Sequence, residues 1–159
     1  MTRRANVLGL GLIGGSVAAG LRALGWHVSG SDAGSGREAE ALSRGIIDSC
    51  GVDAAAEISF VATPVSQVID GVQAMLHSTS GVVTDVGSVK LPVVSAITDS
   101  RFVGGHPMAG SELQGLDGAD AEMFRGAVWV LTPSSTTSDD AFALVAGVVR
   151  ELGGDMLAL

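Results

Sequence analysis

Short apolar bursts rich in β-branched residues alternate along the chain with stretches in which apolar positions recur every three or four residues, which are the patterns of strands and amphipathic helices. The bursts predict strands at 6–8, 27–31, 58–62, 82–85, 102–104, 127–131 and 155–159. The helical spacing falls between them, at 13–24, 38–44, 65–76, 91–98 and 139–152, with Ser138 as N-cap and Gly153 as C-cap of the last helix. These strands are apolar on both faces, so the sheet must be covered by helices on both sides. That requirement predicts an α/β fold with a doubly wound, mostly parallel sheet joined by right-handed crossovers. No linker or internal repeat interrupts the alternation, and residues 1–159 read as one domain.

Composition narrows the function. With 47% hydrophobic and 16% charged residues, the chain is too apolar to be disordered. It has 23 glycines but 4 prolines and no triplet period, which excludes collagen and leaves glycine to serve turns and close ligand approaches. The net charge of −8 opposes nucleic acid and anionic membrane surfaces, while leaving room for a small anionic ligand bound locally. Residues 5–21 are uncharged and follow Arg3 and Arg4, as in a signal peptide, but five glycines break the run and its pattern changes from strand to turn to helix. Cys50 is the single cysteine, so it has no disulfide partner; it reads as a small buried or half-buried residue, consistent with a reducing cytoplasm. His27, His77 and His106 have no metal-ligand spacing, and no metal site is expected.

Gly9, Leu10, Gly11, Leu12, Ile13 and Gly14 connect the first strand to the first helix, the setting in which a Gly-x-Gly-x-x-Gly turn holds a dinucleotide. Gly9 permits the tight turn, Gly11 admits the pyrophosphate, and Gly14 lets helix and strand pack closely. The second strand ends in Asp32, 18 residues beyond Gly14, where a carboxylate accepts hydrogen bonds from the adenosine ribose. Asp32 would repel a 2′-phosphate, so NAD is the expected cofactor and NADP, for which Arg37 is near, the less favoured one. Ala62, Thr63 and Pro64 leave the third strand on the same sheet edge and should pass near the nicotinamide half.

Two further strand ends carry chemistry. One is Asp85-Val86-Gly87-Ser88-Val89-Lys90; the other runs from Gly104 through His106 to Ser111 and Glu112. The imidazole of His106 can take a hydroxyl proton at neutral pH and the Ser88 hydroxyl can orient the same group, while Lys90 could attract an anionic substrate. The chain has no Gly-x-Ser-x-Gly elbow for a serine hydrolase and no Gly-Lys-Ser/Thr for a P-loop.

In these residues the chain resembles the prephenate dehydrogenase family, which includes arogenate dehydrogenases of tyrosine biosynthesis. The likeness rests on three motifs in the family's order and spacing: Gly-Leu-Gly-Leu-Ile-Gly-Gly-Ser at 9–16, Asp-Val-Gly-Ser-Val-Lys at 85–90, and Gly-Gly-His-Pro-Met-Ala-Gly-Ser-Glu at 104–112. It implies NAD-dependent oxidative decarboxylation of prephenate or arogenate, with His106 as the base, Ser88 bonding both the histidine and the substrate hydroxyl, and Ser111 and Glu112 in the loop beside the substrate. Relatives continue into a helical domain that forms a homodimer and supplies basic groups, and Leu159 falls short of it. Two other readings stand beside this one: another NAD-dependent hydroxyacid dehydrogenase, and a non-catalytic NAD-binding module.

Overall fold

The computed structural model describes all residues, Met1–Leu159. Eight strands form one sheet in the order β3-β2-β1-β4-β5-β6-β7-β8. They are β1 (Arg4–Leu8), β2 (His27–Ser31), β3 (Ser49–Cys50), β4 (Ile58–Val61), β5 (Val82–Asp85), β6 (Phe102–Pro107), β7 (Val128–Thr132) and β8 (Asp155–Ala158). The helices are α1 (Leu12–Ala23), α2 (Arg37–Ser43), α3 (Val68–Ser78), α4 (Leu91–Ala96) and α5 (Asp139–Glu151). Every pairing is parallel except that of β6 with β7. The predicted doubly wound, mostly parallel α/β fold is therefore the observed one.

Alternation along the strands sends neighbouring side chains to opposite faces. Phe60 joins the core under α1 and α5, with Val17, Leu21, Val145, Val148 and Trp129, whereas the next residue, Val61, packs on the other face with Val68, Val72 and Met75 of α3. Phe102 and Val103 divide in the same way. Trp129 is fully buried at the centre of the larger core, edge-on to Phe60 and 4.8 Å from the ring of Phe124. Buried Asn6 ties the segment after β3 to the centre of the sheet, its amide donating to the Asp53 carbonyl and its oxygen accepting from the Asp53 N–H at 2.8 Å.

The structure departs from the predicted elements in four places. Strand β3 is additional; it is two residues long, too short to show alternation. Cys50 lies on this edge strand and is exposed, not buried. The predicted helix at 65–76 is a 3₁₀ turn (Val65–Gln67) followed by α3. Strand β6 runs three residues past Gly104, because pairing with antiparallel β7 carries Gly105, His106 and Pro107 into the ladder. His106 is thus a strand residue, not a loop residue. No helix is long and apolar enough to cross a membrane.

The Ser138 cap is present, with its hydroxyl accepting from the Ala141 N–H at 3.1 Å, and Gly153 follows the residue that closes α5. Ser138→Ala should lower stability by about 1 kcal/mol, read as a fall of roughly 2–4 °C in Tm on thermal unfolding. An unchanged Tm would show that solvent replaces the cap without loss.

Candidate functional site

β1, β2, β4, β5 and β6 all point their carboxyl ends at one edge, where open α/β sheets bind ligands. The glycine turn between β1 and α1 sits at the centre of that edge. Gly9 has φ +96°, and a Cβ there would stand 2.5 Å from the Ala62 carbonyl oxygen. A Cβ on Gly14 would lie 1.8 Å from the Gly9 carbonyl oxygen, so this glycine is what allows the helix to start against the turn. Gly11 is different: a Cβ there meets nothing within 4 Å and would point into the space above the turn. No side chain caps α1, whose first intrahelical bond runs from the Gly15 N–H to the Gly11 carbonyl; the Leu12, Ile13 and Gly14 N–H groups have no acceptor in the protein. Free amides and the helix dipole together favour an anion at this point.

A cleft of about 850 Å³ runs along this edge, lined by Gly9, Gly11, Leu12, Ile13 and Asp32 among others, and by Ala62, Thr63 and Pro64 on its opposite wall. That volume lies within the ordinary range for small-molecule and cofactor sites. Leu10 and Gly14 lie beneath it; Leu10 is fully buried and acts through its backbone. Its N–H donates to Asp32 Oδ2 at 2.7 Å, while Asp32 Oδ1 accepts from the Gly34 N–H at 2.7 Å. Asp32 therefore braces the glycine turn and still presents a carboxylate to the cleft. Arg37 lines the same end and donates from Nη1 to the Leu10 carbonyl at 3.0 Å. Thr63 Oγ1 is buried in the wall with no partner. An unbonded buried hydroxyl forfeits roughly 1–3 kcal/mol, which a ligand able to bond it would recover.

At the β5 end the cleft is lined by Val86 and Gly87. His106 is partly buried just beyond it, with Nδ1 3.5 Å from the Val86 carbonyl oxygen. A carbonyl only accepts, so in the neutral ring this contact favours the proton on Nδ1 and the lone pair on Nε2. Ser88 follows Gly87 on the rim and is exposed; its hydroxyl makes no hydrogen bond to His106. Ser111 and Glu112 lie on the exposed loop after β6 and do not line the cleft, the Ser111 hydroxyl accepting from the Leu113 N–H at 3.1 Å. The structure thus gathers the glycine turn, Asp32 and residues 62–64 around one cleft, sets His106 and Ser88 at its end, and leaves Ser111 and Glu112 outside.

The sequence reading missed Asp85. Its side chain is fully buried, accepting from the Gly105 N–H at 3.1 Å, from the Gly87 N–H at 3.1 Å and from Lys90 Nζ. Burial pushes the Asp85 carboxyl up and the Lys90 ammonium down, and their mutual attraction opposes both shifts. Lys90 is consequently committed to Asp85 and is not the exposed anion attractor that its place in the motif suggested. A carboxylate closing a strand with a lysine five positions on was the available signal.

Open space above Gly11, unbonded amides at the start of α1, a carboxylate at one end and an unpartnered hydroxyl in the wall suit a dinucleotide: pyrophosphate at the amides, ribose at Asp32. The family model described as "Prephenate dehydrogenase, nucleotide-binding domain" matches residues 17–158, so the glycine turn lies just ahead of the matched span. The prephenate dehydrogenase of Bacillus subtilis (strain 168) is 38% identical over 160 residues, which is 89% of this chain and 42% of that protein. Among solved structures, Synechocystis arogenate dehydrogenase is 32% identical with a TM-score of 0.88 over 98% of this chain and 59% of that one. The prephenate dehydrogenase from Aquifex aeolicus in complex with hydroxyphenyl propionate and NAD+ is 28% identical with a TM-score of 0.91 over 100% of this chain and 60% of that one. The chain spans about two-fifths of the length of the Bacillus relative. With motifs, sheet order and these matches in agreement, the chain belongs to the prephenate dehydrogenase family, as a nucleotide-binding domain.

Proposed function

We propose that this chain binds NAD+ in the cleft, with NADP+ the weaker ligand, and forms the nucleotide-binding part of an enzyme that oxidatively decarboxylates prephenate or arogenate. The observation that carries the reading is one cleft that joins the open approach at Gly11 to the Asp32 carboxylate and ends beside His106. The relatives' names supply the substrate class.

Bound NAD+ would supply the hydride acceptor. The chain's own residues do the rest of the work on this side of the reaction. The Leu12, Ile13 and Gly14 amides hold negative oxygens, and Asp32 accepts from ribose hydroxyls and repels a phosphate on the same sugar. His106 Nε2 takes the proton of the substrate hydroxyl as its carbon gives up hydride, and Ser88 on the rim orients that hydroxyl. Loss of carbon dioxide from the ring leaves an aromatic product, so aligning the reactants and accepting one proton are the protein's main tasks. Ser111 and Glu112 belong to the loop on the substrate side.

Calorimetric titration of the chain with NAD+ and NADP+ tests the cofactor reading. NAD+ should bind more tightly, and Asp32→Ser should narrow the difference by roughly tenfold, or ~1.4 kcal/mol. Failure of both dinucleotides to bind would overturn the reading. An unchanged ratio in the variant would show that Asp32 does not face the ribose.

A further inference from the structure

We propose that Asp85 is a positioning residue whose buried carboxylate, by gripping the backbone at both Gly87 and Gly105, fixes the His106–Val86 contact and hence the tautomer of the His106 ring. The proposal rests on the reading of His106 as the base.

The β5–β6 ladder has its last pairs at Val83 with Phe102 and Thr84 with Val103. Beyond them β6 continues through His106, now held on its other side by β7, while β5 ends at Asp85. At that parting the Asp85 side chain replaces the ladder. Oδ1 accepts from the N–H of Gly105, the residue before His106, and Oδ2 accepts from the N–H of Gly87, which shares its peptide with the Val86 carbonyl. One rigid group therefore holds both flanks of the Nδ1–carbonyl contact. Gly105 is required for so close an approach, since a Cβ there would stand 2.8 Å from the Asp85 carbonyl oxygen. Lys90 Nζ closes the carboxylate's remaining side and balances a charge that burial would otherwise make very unfavourable. An amide cannot take this place. One of its two terminal atoms would be an NH2 group facing an N–H donor.

Nuclear magnetic resonance on the isotopically labelled chain tests this, at a pH about two units above the ordinary histidine pKa. Scalar couplings across the hydrogen bonds should link the Gly87 and Gly105 nitrogens to the Asp85 carboxyl carbon, and the His106 ring nitrogens should report one neutral tautomer with the proton on Nδ1. In Asp85→Asn the two ring-nitrogen shifts should move toward each other as the tautomers mix, a change that loss of packing elsewhere would not produce. Absent couplings, or an Asp85→Asn chain that keeps the single tautomer, would overturn the proposal. Should that variant fail to fold, the couplings and the single tautomer of the unaltered chain decide: both present support it, either one missing defeats it. The base reading fails separately, through undiminished turnover when His106 is replaced.

Discussion

Gly14→Ala should unfold the chain several degrees early, whereas Gly11→Ala should fold normally and bind NAD+ at least tenfold more weakly. The two positions are three residues apart in one motif and have opposite surroundings. A methyl group on Gly14 would sit 1.8 Å from the Gly9 carbonyl oxygen, and that oxygen has nowhere to go. Gly9 is held by its N–H donating to the Ser31 carbonyl at 2.8 Å, by a backbone at φ +96°, and by direct contact with the Ala62 peptide. Overpacking typically forfeits 1–3 kcal/mol, and a clash with immobile backbone belongs at or above the top of that range. About 3 kcal/mol corresponds to roughly 6–12 °C in Tm for a chain of this length. At Gly11 the added methyl meets no protein atom within 4 Å, so the stability change should stay within about 1 kcal/mol. The same methyl occupies the approach to the free amides, and a tenfold loss of affinity is ~1.4 kcal/mol. Thermal unfolding and calorimetric titration of both variants read the two effects independently. A stable Gly14→Ala chain, or a Gly11→Ala chain that binds as before, would break the division of labour.

The tight surroundings of Gly9 and Gly14 and the open one of Gly11 were legible in the sequence because they are local: a strand, a turn and a helix start set them within six residues. The bursts likewise placed every strand longer than β3; β4 buries apolar side chains on both faces, whereas no residue of β8 is fully buried. What escaped depends on partners far along the chain. The burst at 102–104 predicts a strand that stops at Gly104, yet pairing with β7 carries Gly105, His106 and Pro107 into the ladder as well. Val65 carries helical spacing, but a 3₁₀ turn follows Pro64 before the α-helix begins. Asp85 and Lys90 are five residues apart and look like two surface charges. Only the parting of β5 from β6 buries the carboxylate and draws the lysine over it. Ser111 and Glu112 fall on the loop beyond β6, where nothing in this chain turns them toward the cleft.

His106→Asn should lower kcat by a factor of ~10²–10⁴ in an enzyme built on this domain, the range expected when a positioned general base is removed. The substitution separates two jobs the ring performs. An asparagine amide can still donate to the Val86 carbonyl, which now accepts from Nδ1, so the local packing and the Val86–Gly87 wall of the cleft should survive. It has no basic nitrogen to replace Nε2. NAD+ affinity should therefore stay within about threefold, ~0.7 kcal/mol, because His106 stands beyond the cleft and touches none of the free amides of α1. What remains should be a slow rate in which water takes the proton. Formation of reduced cofactor, followed by its absorbance with prephenate and with arogenate in turn, supplies the measurement. If both substrates turn over undiminished, proton removal belongs to another group, and Ser88 on the rim becomes the residue to replace next. If turnover collapses together with NAD+ binding, His106 supports the cleft and the loss says nothing about proton transfer. Only a fallen kcat with preserved binding assigns the base.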